Sequence, residues 1–236
     1  MLQFDFVGSI YSTAAQMEFT DERSPIFNTV ERYFHSVSTE EINRHKEYWS
    51  KIIPNSSEEI FKRYLFAFLS VHTTYERNME AYKLTKDWYN WFNKEEVLLE
   101  RLKQSGAGLF NNRTKYISAF AADYWSDTKK YQKQKNESWI ECRDRIEKLI
   151  TGLGIAKSSF ALEMIYPLSA QLTCLDVHLF RFYGLDQTKD RRLYKTIEQH
   201  WINWSKMFNM PPYIARAIYW NRNQNKMDCS YWADCL

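Results

Sequence analysis

Strand signals are scarce in this chain of 236 residues. Leu2 to Ile10 is the best of a few weak candidates, so a sheet-built domain is excluded and an all-α fold is expected. Cysteines are few as well. Cys142, Cys174, Cys229 and Cys235 form neither a dense disulfide framework nor a paired CxxC zinc site. An iron-sulfur cluster needs four closely spaced thiolates, and Cys142 and Cys174 lie far upstream of the other two. No metal and no cofactor is therefore expected. No apolar run approaches the roughly 20 residues of a membrane span, and Met1 to Gln16 lacks a basic start followed by an apolar block. Mean hydropathy is −0.58. A soluble intracellular protein without a membrane partner is the expectation. Charge of one sign is also in short supply: the net charge of +3 gives a field only weakly attractive to polyanions.

Aromatic residues, by contrast, make up 17% of the chain, with nine Trp and sixteen Tyr. Their first use is to fill a helical core. Ser38 with Glu41, and Ser56 with Glu59, have the spacing of capping boxes and predict helices starting near Thr39 and Ser57. Tyr64, Leu65, Phe68 and Leu69 continue the second helix to about Val71 to Thr74. Met79, Tyr82, Trp88 and Trp91 predict one long helix after it, and Val97, Leu98 and Leu102 a shorter one stopped by Gly106 and Gly108. Ile117, Phe120, Ala121 and Tyr124 mark the next. The polar stretch Thr128 to Glu137 predicts a surface loop.

Trp139, Cys142, Ile146, Leu149 and Ile150 form an apolar stripe that ends at Gly152 and Gly154. A helix carrying Phe160, Ala161, Met164 and Ile165 starts at once and is ended by Pro167. Two more helices are predicted around Tyr194 to Phe208 and Pro212 to Asn223. The arrangement helix, glycine hairpin, helix is a device for holding an anion. The amides of Gly152, Leu153, Gly154 and Ile155 are expected to face a phosphate at the positive end of the following helix, with Leu153 anchoring the turn. Lys157 lies in the first turn of that helix. The segment Thr173-Cys-Leu-Asp176-Val-His178-Leu-Phe-Arg181 follows, placing Asp176 19 positions after Lys157.

This ordered set resembles the helix-hairpin-helix DNA glycosylases related to endonuclease III and 8-oxoguanine glycosylase. In that superfamily the hairpin is followed by a catalytic lysine and then by an Asp-x-His-x-x-Arg-type segment. Leu69-Ser-Val-His72-Thr-Thr74 resembles the family's first DNA-facing loop, and Gly108-Leu109-Phe-Asn-Asn112-Arg113-Thr-Lys115 resembles its Gly-Leu-Tyr-Asn-x-Lys-type loop. The likeness spans roughly Phe61 to Leu185 and departs in three places. Lys157 stands three residues after Gly154 where two is usual, His72 replaces a common glutamine, and the cysteine cluster of the endonuclease III branch is absent. A shift of one residue turns a helical side chain by about 100 degrees.

The resemblance implies two helical lobes with duplex DNA lying over the cleft between them. N-terminal helices 1–56 pack with a C-terminal lobe 185–236, and 57–184 form the central domain with the hairpin. It implies excision of a damaged or modified base by a monomer, with the prokaryotic or phage-infected cytoplasm, or a eukaryotic nucleus, as the place. Asp176 would oppose the positive charge that develops on the sugar, and Lys157 would attack the sugar carbon, form a Schiff base and nick the abasic site. His72 and Leu109 would fill the hole left by the flipped base. Asn112, Arg113, Lys115, His178 and Arg181 are candidate DNA contacts. Two other readings stay open at this point: transfer of a group onto a modified thymine on the same scaffold, and a non-catalytic DNA-binding module.

Overall fold

A computed structural model describes residues 25–225, in which there are eleven α-helices, three short 3-10 turns and no strand. The candidate strand Leu2 to Ile10, and Cys229 and Cys235, lie outside the described residues. The helices are α1 (Pro25–Ser36), α2 (Thr39–Lys51), α3 (Ser57–Leu69), α4 (Tyr75–Thr85), α5 (Glu95–Gln104) and α6 (Phe110–Ser126). They continue with α7 (Trp139–Leu149), α8 (Ile155–Ile165), α9 (Val177–Phe182), α10 (Tyr194–Met207) and α11 (Pro212–Asn223). No helix among the described residues is long and apolar enough to cross a membrane.

The predicted starts hold to the residue. Ser38 and Ser56 cap α2 and α3 by accepting from the amides of Glu41 and Glu59. One long helix was expected across Met79 to Trp91; instead α4 stops at Thr85, followed by a 3-10 turn over Trp88–Asn90. Distant side chains capture its last carbonyls. Arg101 Nη1 donates to Leu84 O at 3.0 Å, and Trp91 Nε1 donates to Thr85 O at 2.7 Å. The polar stretch after α6 is also better fastened than its composition suggests. Tyr131 is buried there, and Arg145 donates to the carbonyls of Lys130 and Gln132 and pairs with Glu137.

Helices α3 and α8 form the centre. Every residue from Ile60 to Leu69 except Lys62 is buried, as is every residue from Ser158 to Ile165, and the two helices pack on each other. A helix buried all round is what two such apolar sequences require. Around them α4, α5, α6 and α7 close one side. On the other, α1 and α2 pack on α9, α10 and α11, so the chain's two described ends meet. Tyr33 donates to Ala215 O at 2.5 Å, and Arg222 pairs with Glu41 at 2.5 Å. The aromatics divide accordingly: Phe61, Tyr64, Phe120, Tyr124 and Tyr131 interlock on the first side, and Tyr33, Phe34, Phe182, Trp201 and Tyr219 on the second. Core filling accounts for most of them.

Candidate active site

The turn between α7 and α8 is built on one glycine more than on the other. Gly152 has φ +98, and a Cβ there would meet Tyr116 of α6 at 2.6 Å, so no other residue fits. Gly154 sits at φ −82 as the N-cap of α8 with open space where a Cβ would be. The turn itself therefore does not need it, although both glycines were expected to shape the hairpin. Leu153 is buried as expected, but its amide donates to Ile150 O at 3.2 Å and is not available to a phosphate. That corrects one of the four expected anion donors. The amides of Gly152, Gly154 and Ile155 have no acceptor among the described residues.

The hairpin opens onto a cleft of about 900 Å³. Gly152, Gly154, Ile155, Lys157, His72, Asp176 and His178 all line it. The extra residue between Gly154 and Lys157 thus does not turn the lysine away. Lys157 is half-buried, with Nζ 5.4 Å from the centroid of the Phe160 ring. It makes no ion pair among the described residues, so no carboxylate clamps its proton. Burial lowers its pKa from the ordinary lysine range. Cys174 and Asp176 oppose the shift, and the positive charges of Arg216 and Arg113 add to it. A larger fraction of neutral amine, the form that attacks carbon, is the chemical consequence.

Asp176 is the N-cap of α9, and both cap bonds fall on one oxygen: Oδ1 accepts from His178 N at 2.9 Å and Leu179 N at 3.0 Å. Capping leaves Oδ2 unengaged. The extended segment before it has no sheet to join, and three buried side chains take up its amides one after another. Thr173 N donates to Glu198 Oε1 at 3.1 Å, Cys174 N to Glu163 Oε1 at 3.0 Å, and Leu175 N to the Tyr194 hydroxyl at 3.1 Å. Each carboxylate is held in turn by a buried arginine. Arg216 pairs with Glu163 at 2.8 Å and Arg143 with Glu198 at 2.8 Å. Burial works against the Arg216 charge, but the Glu163 carboxylate more than restores it and raises its pKa. The Cys174 thiol, pushed up to about 12 by burial, is not a nucleophile at neutral pH.

Other expected contacts are spread more widely. Asn112 and Lys115 are exposed on α6, and Arg181 is exposed on α9; none of the three lines the cleft. Leu109 is 49% exposed at φ +60, and His72 is exposed at φ +47. Two non-glycine residues held in the left-handed region are strain that a functional loop can store. Arg113, expected on a phosphate, is instead 4% exposed and donates Nη2 to Val71 O, where it braces the loop that carries His72. Residues beyond the motifs complete the cleft: Asn78, Phe160, Tyr213, Arg216 and Trp220. Of these only Arg216 carried a legible signal, as a charge set inside an apolar helical run, and its partner Glu163 is a charge of opposite sign in the same kind of setting. No group of metal-ligating side chains lies together among the described residues.

Comparison with known structures places the same architecture in two 8-oxoguanine glycosylases. The 8-oxoguanine glycosylase/lyase of Methanocaldococcus jannaschii, solved in complex with a 15mer DNA containing 8-oxoguanine, aligns with a TM-score of 0.67 at 22% identity. That alignment covers 86% of this chain and 99% of that one. The 8-oxoguanine DNA glycosylase of Thermotoga maritima aligns with a TM-score of 0.65 at 17% identity, covering 86% and 98%. At these identities the likeness speaks for the fold. No curated protein sequence matches the chain. The sequence model of the Ogg-HhH family, 8-oxoguanine DNA glycosylase, matches residues 40–210, a span containing the hairpin, Lys157 and Asp176. It favours neither group transfer nor a non-catalytic module, and by it the chain belongs to the helix-hairpin-helix 8-oxoguanine DNA glycosylase family.

Proposed function

We propose that this protein excises 8-oxoguanine from duplex DNA and nicks the resulting abasic site through Lys157. The observation that carries the reading is a lysine amine with a lowered pKa, free of any ion pair among the described residues, sharing a cleft with a carboxylate that has one oxygen uncommitted. Lys157 attacks C1′ as the base departs and Asp176 opposes the cationic charge on the sugar. The attacking nitrogen loses a proton and the departing base gains one. Ring opening gives the Schiff base, from which β-elimination releases the 3′ phosphate.

The amides of Gly152, Gly154 and Ile155 hold a backbone phosphate at the N-terminus of α8, with Asn112, Lys115, His178 and Arg181 as further DNA contacts. His72 and Leu109 occupy the hole left by the flipped base. The lobes 1–56 with 185–236, and 57–184, flank the duplex. The enzyme acts as a monomer inside the cell. Support for the substrate comes from the family match and from the M. jannaschii neighbour, whose structure holds 8-oxoguanine DNA.

The test is incubation with duplexes carrying a single 8-oxoguanine opposite cytosine, with borohydride added to reduce any Schiff base. Wild type should form a covalent adduct, and Lys157→Gln should lose it while keeping duplex binding. Trapping that persists in Lys157→Gln moves the nucleophile to another amine. Failure of wild type to release free 8-oxoguanine sinks the substrate assignment.

A further inference from the structure

One polar side chain in the cleft has a buried acceptor that nothing among the described residues uses. Asn78 on α4 is 3% exposed and lines the cleft together with Lys157, Tyr75 and Tyr213. Its Oδ1 is buried and has no hydrogen-bond partner among the described residues. Nearby hydroxyls behave differently: Thr85 donates to Ala81 O at 2.7 Å, and Ser70 donates to Ala67 O at 2.8 Å. Met79, Ala81 and Tyr82 show that this face of α4 otherwise carries packing residues. Burying an amide without a partner costs stability that a leucine there would not. A carboxamide offers one acceptor and two donors in a plane, which suits an edge where an N–H stands beside a carbonyl.

We propose that Asn78 is the residue that tells 8-oxoguanine from guanine, its Oδ1 accepting from N7–H and its Nδ2 donating to O6 of the flipped base. The assignment rests on 8-oxoguanine being the substrate. Guanine presents two acceptors, N7 and O6, on that edge, so the same carboxamide would set its oxygen against a lone pair. Oxidation at C8 puts a proton on N7 and converts the edge into one acceptor and one donor. Adenine carries a donor at N6 and an acceptor at N7, the reverse order. A site whose buried polar group goes unpaired with the wrong ligand discriminates far better than one that adds only apolar contact.

The experiment compares wild type with Asn78→Leu and the isosteric Asn78→Asp. Single-turnover release of 8-oxoguanine should fall about 30-fold in Asn78→Leu, the size expected for two lost hydrogen bonds. Binding to a duplex with a tetrahydrofuran abasic analogue, which has no base to read, should be unchanged. The melting temperature should hold or rise, since an unpaired buried polar group is removed; a structural asparagine would lower it. In a Lys157→Gln background, 7-deaza-8-oxoguanine, with C–H at position 7, should bind about tenfold more weakly than 8-oxoguanine, and Asn78→Leu should erase that difference. Asn78→Asp keeps the acceptor but faces O6 with a second oxygen, so it should also lose release. Wild-type release by Asn78→Leu, or an undiminished 7-deaza penalty in it, overturns the assignment and leaves the substrate standing. A wild type inert on 8-oxoguanine takes down both.

Discussion

The charges behind the cleft and those facing it are kept in opposite condition. Behind it, Glu163 with Arg216, whose side chain also reaches the cleft lining, and Glu198 with Arg143 are buried pairs whose carboxylates also accept the Cys174 and Thr173 amides, and Arg143 Nη2 is the one atom of these four side chains buried without a partner among the described residues. Facing it, Lys157 has no ion pair among the described residues, and Asp176 commits a single oxygen. Buried charge is tolerable only when paired, so the pairs can fix a backbone. Under the proposed function the groups that meet the substrate are the ones left unsatisfied, and their cost falls on the fold. The two conditions are separated by two residues of chain, Cys174 to Asp176.

That contrast is broken most sharply by exchanging the consequences of mutation. Asp176→Asn retains the capping oxygen and loses the charge, so base release should fall about 10²- to 10³-fold while stability stays within about 1 kcal/mol. Single-turnover kinetics and urea unfolding measure the two. Glu163→Gln should do the reverse in kind. Leaving the Arg216 guanidinium buried without its carboxylate should cost about 3–5 kcal/mol in urea unfolding. Base release by the folded fraction should drop less than in Asp176→Asn, since the amide still accepts from Cys174. Equal stability losses for the two variants would erase the distinction between brace and working group.

How much of this was legible varied with the range of the forces involved. Ser38 and Ser56 announced helix starts because a cap is decided within three residues, and Ser138 with Glu141 forms a capping box at α7 whose spacing is just as readable. The premature end of α4 was not legible, because the side chains that claim its carbonyls come from Trp91 and Arg101. Lys157 and Asp176 could be picked out because ordered motifs carry them. Their shared cleft depends on Glu163, Glu198 and Tyr194 fixing the segment before Asp176, which no local pattern encodes. Asn78 was invisible for the same reason: its significance is the absence of a partner in three dimensions. Arg113 shows the opposite error, a basic residue in a DNA-facing motif that proves to be a brace for Val71.

A second buried group tests the same contrast through pH. His200 accepts from Trp204 Nε1 at Nε2 and faces the Tyr183 hydroxyl at Nδ1, an arrangement that suits the neutral ring. Burial lowers its pKa to about 4. The unfolded chain, with a histidine near 6.5, binds the extra proton first. This contribution to stability is therefore complete above about pH 6.5 and is lost as pH falls toward 4, by about 3 kcal/mol in all. The gap in urea midpoint between wild type and His200→Gln, followed from pH 7 to pH 4, measures it, because the Glu163 carboxyl, pushed up to about 7 by burial, titrates over the same window with the opposite sign. A gap that stays constant over that window would mean that His200 protonates without resistance.

The smallest effect should separate the two hairpin glycines. At Gly152 the backbone lies at φ +98 and an added Cβ would meet Tyr116 at 2.6 Å, so Gly152→Ala strains both the turn and α6. A loss of about 1–3 kcal/mol is expected from the conformation alone. At Gly154 neither constraint exists, and Gly154→Ala should leave thermal stability within about 0.5 kcal/mol of wild type. What the alanine does intrude on is the space in front of the Gly154 and Ile155 amides, where a phosphate would approach. Duplex affinity in Gly154→Ala should therefore fall several-fold. The slope of log affinity against log salt should become shallower by about one charge contact, because the lost interaction is electrostatic. Unchanged affinity and slope in that variant would make Gly154 an ordinary helix cap and move the phosphate site elsewhere on the cleft rim.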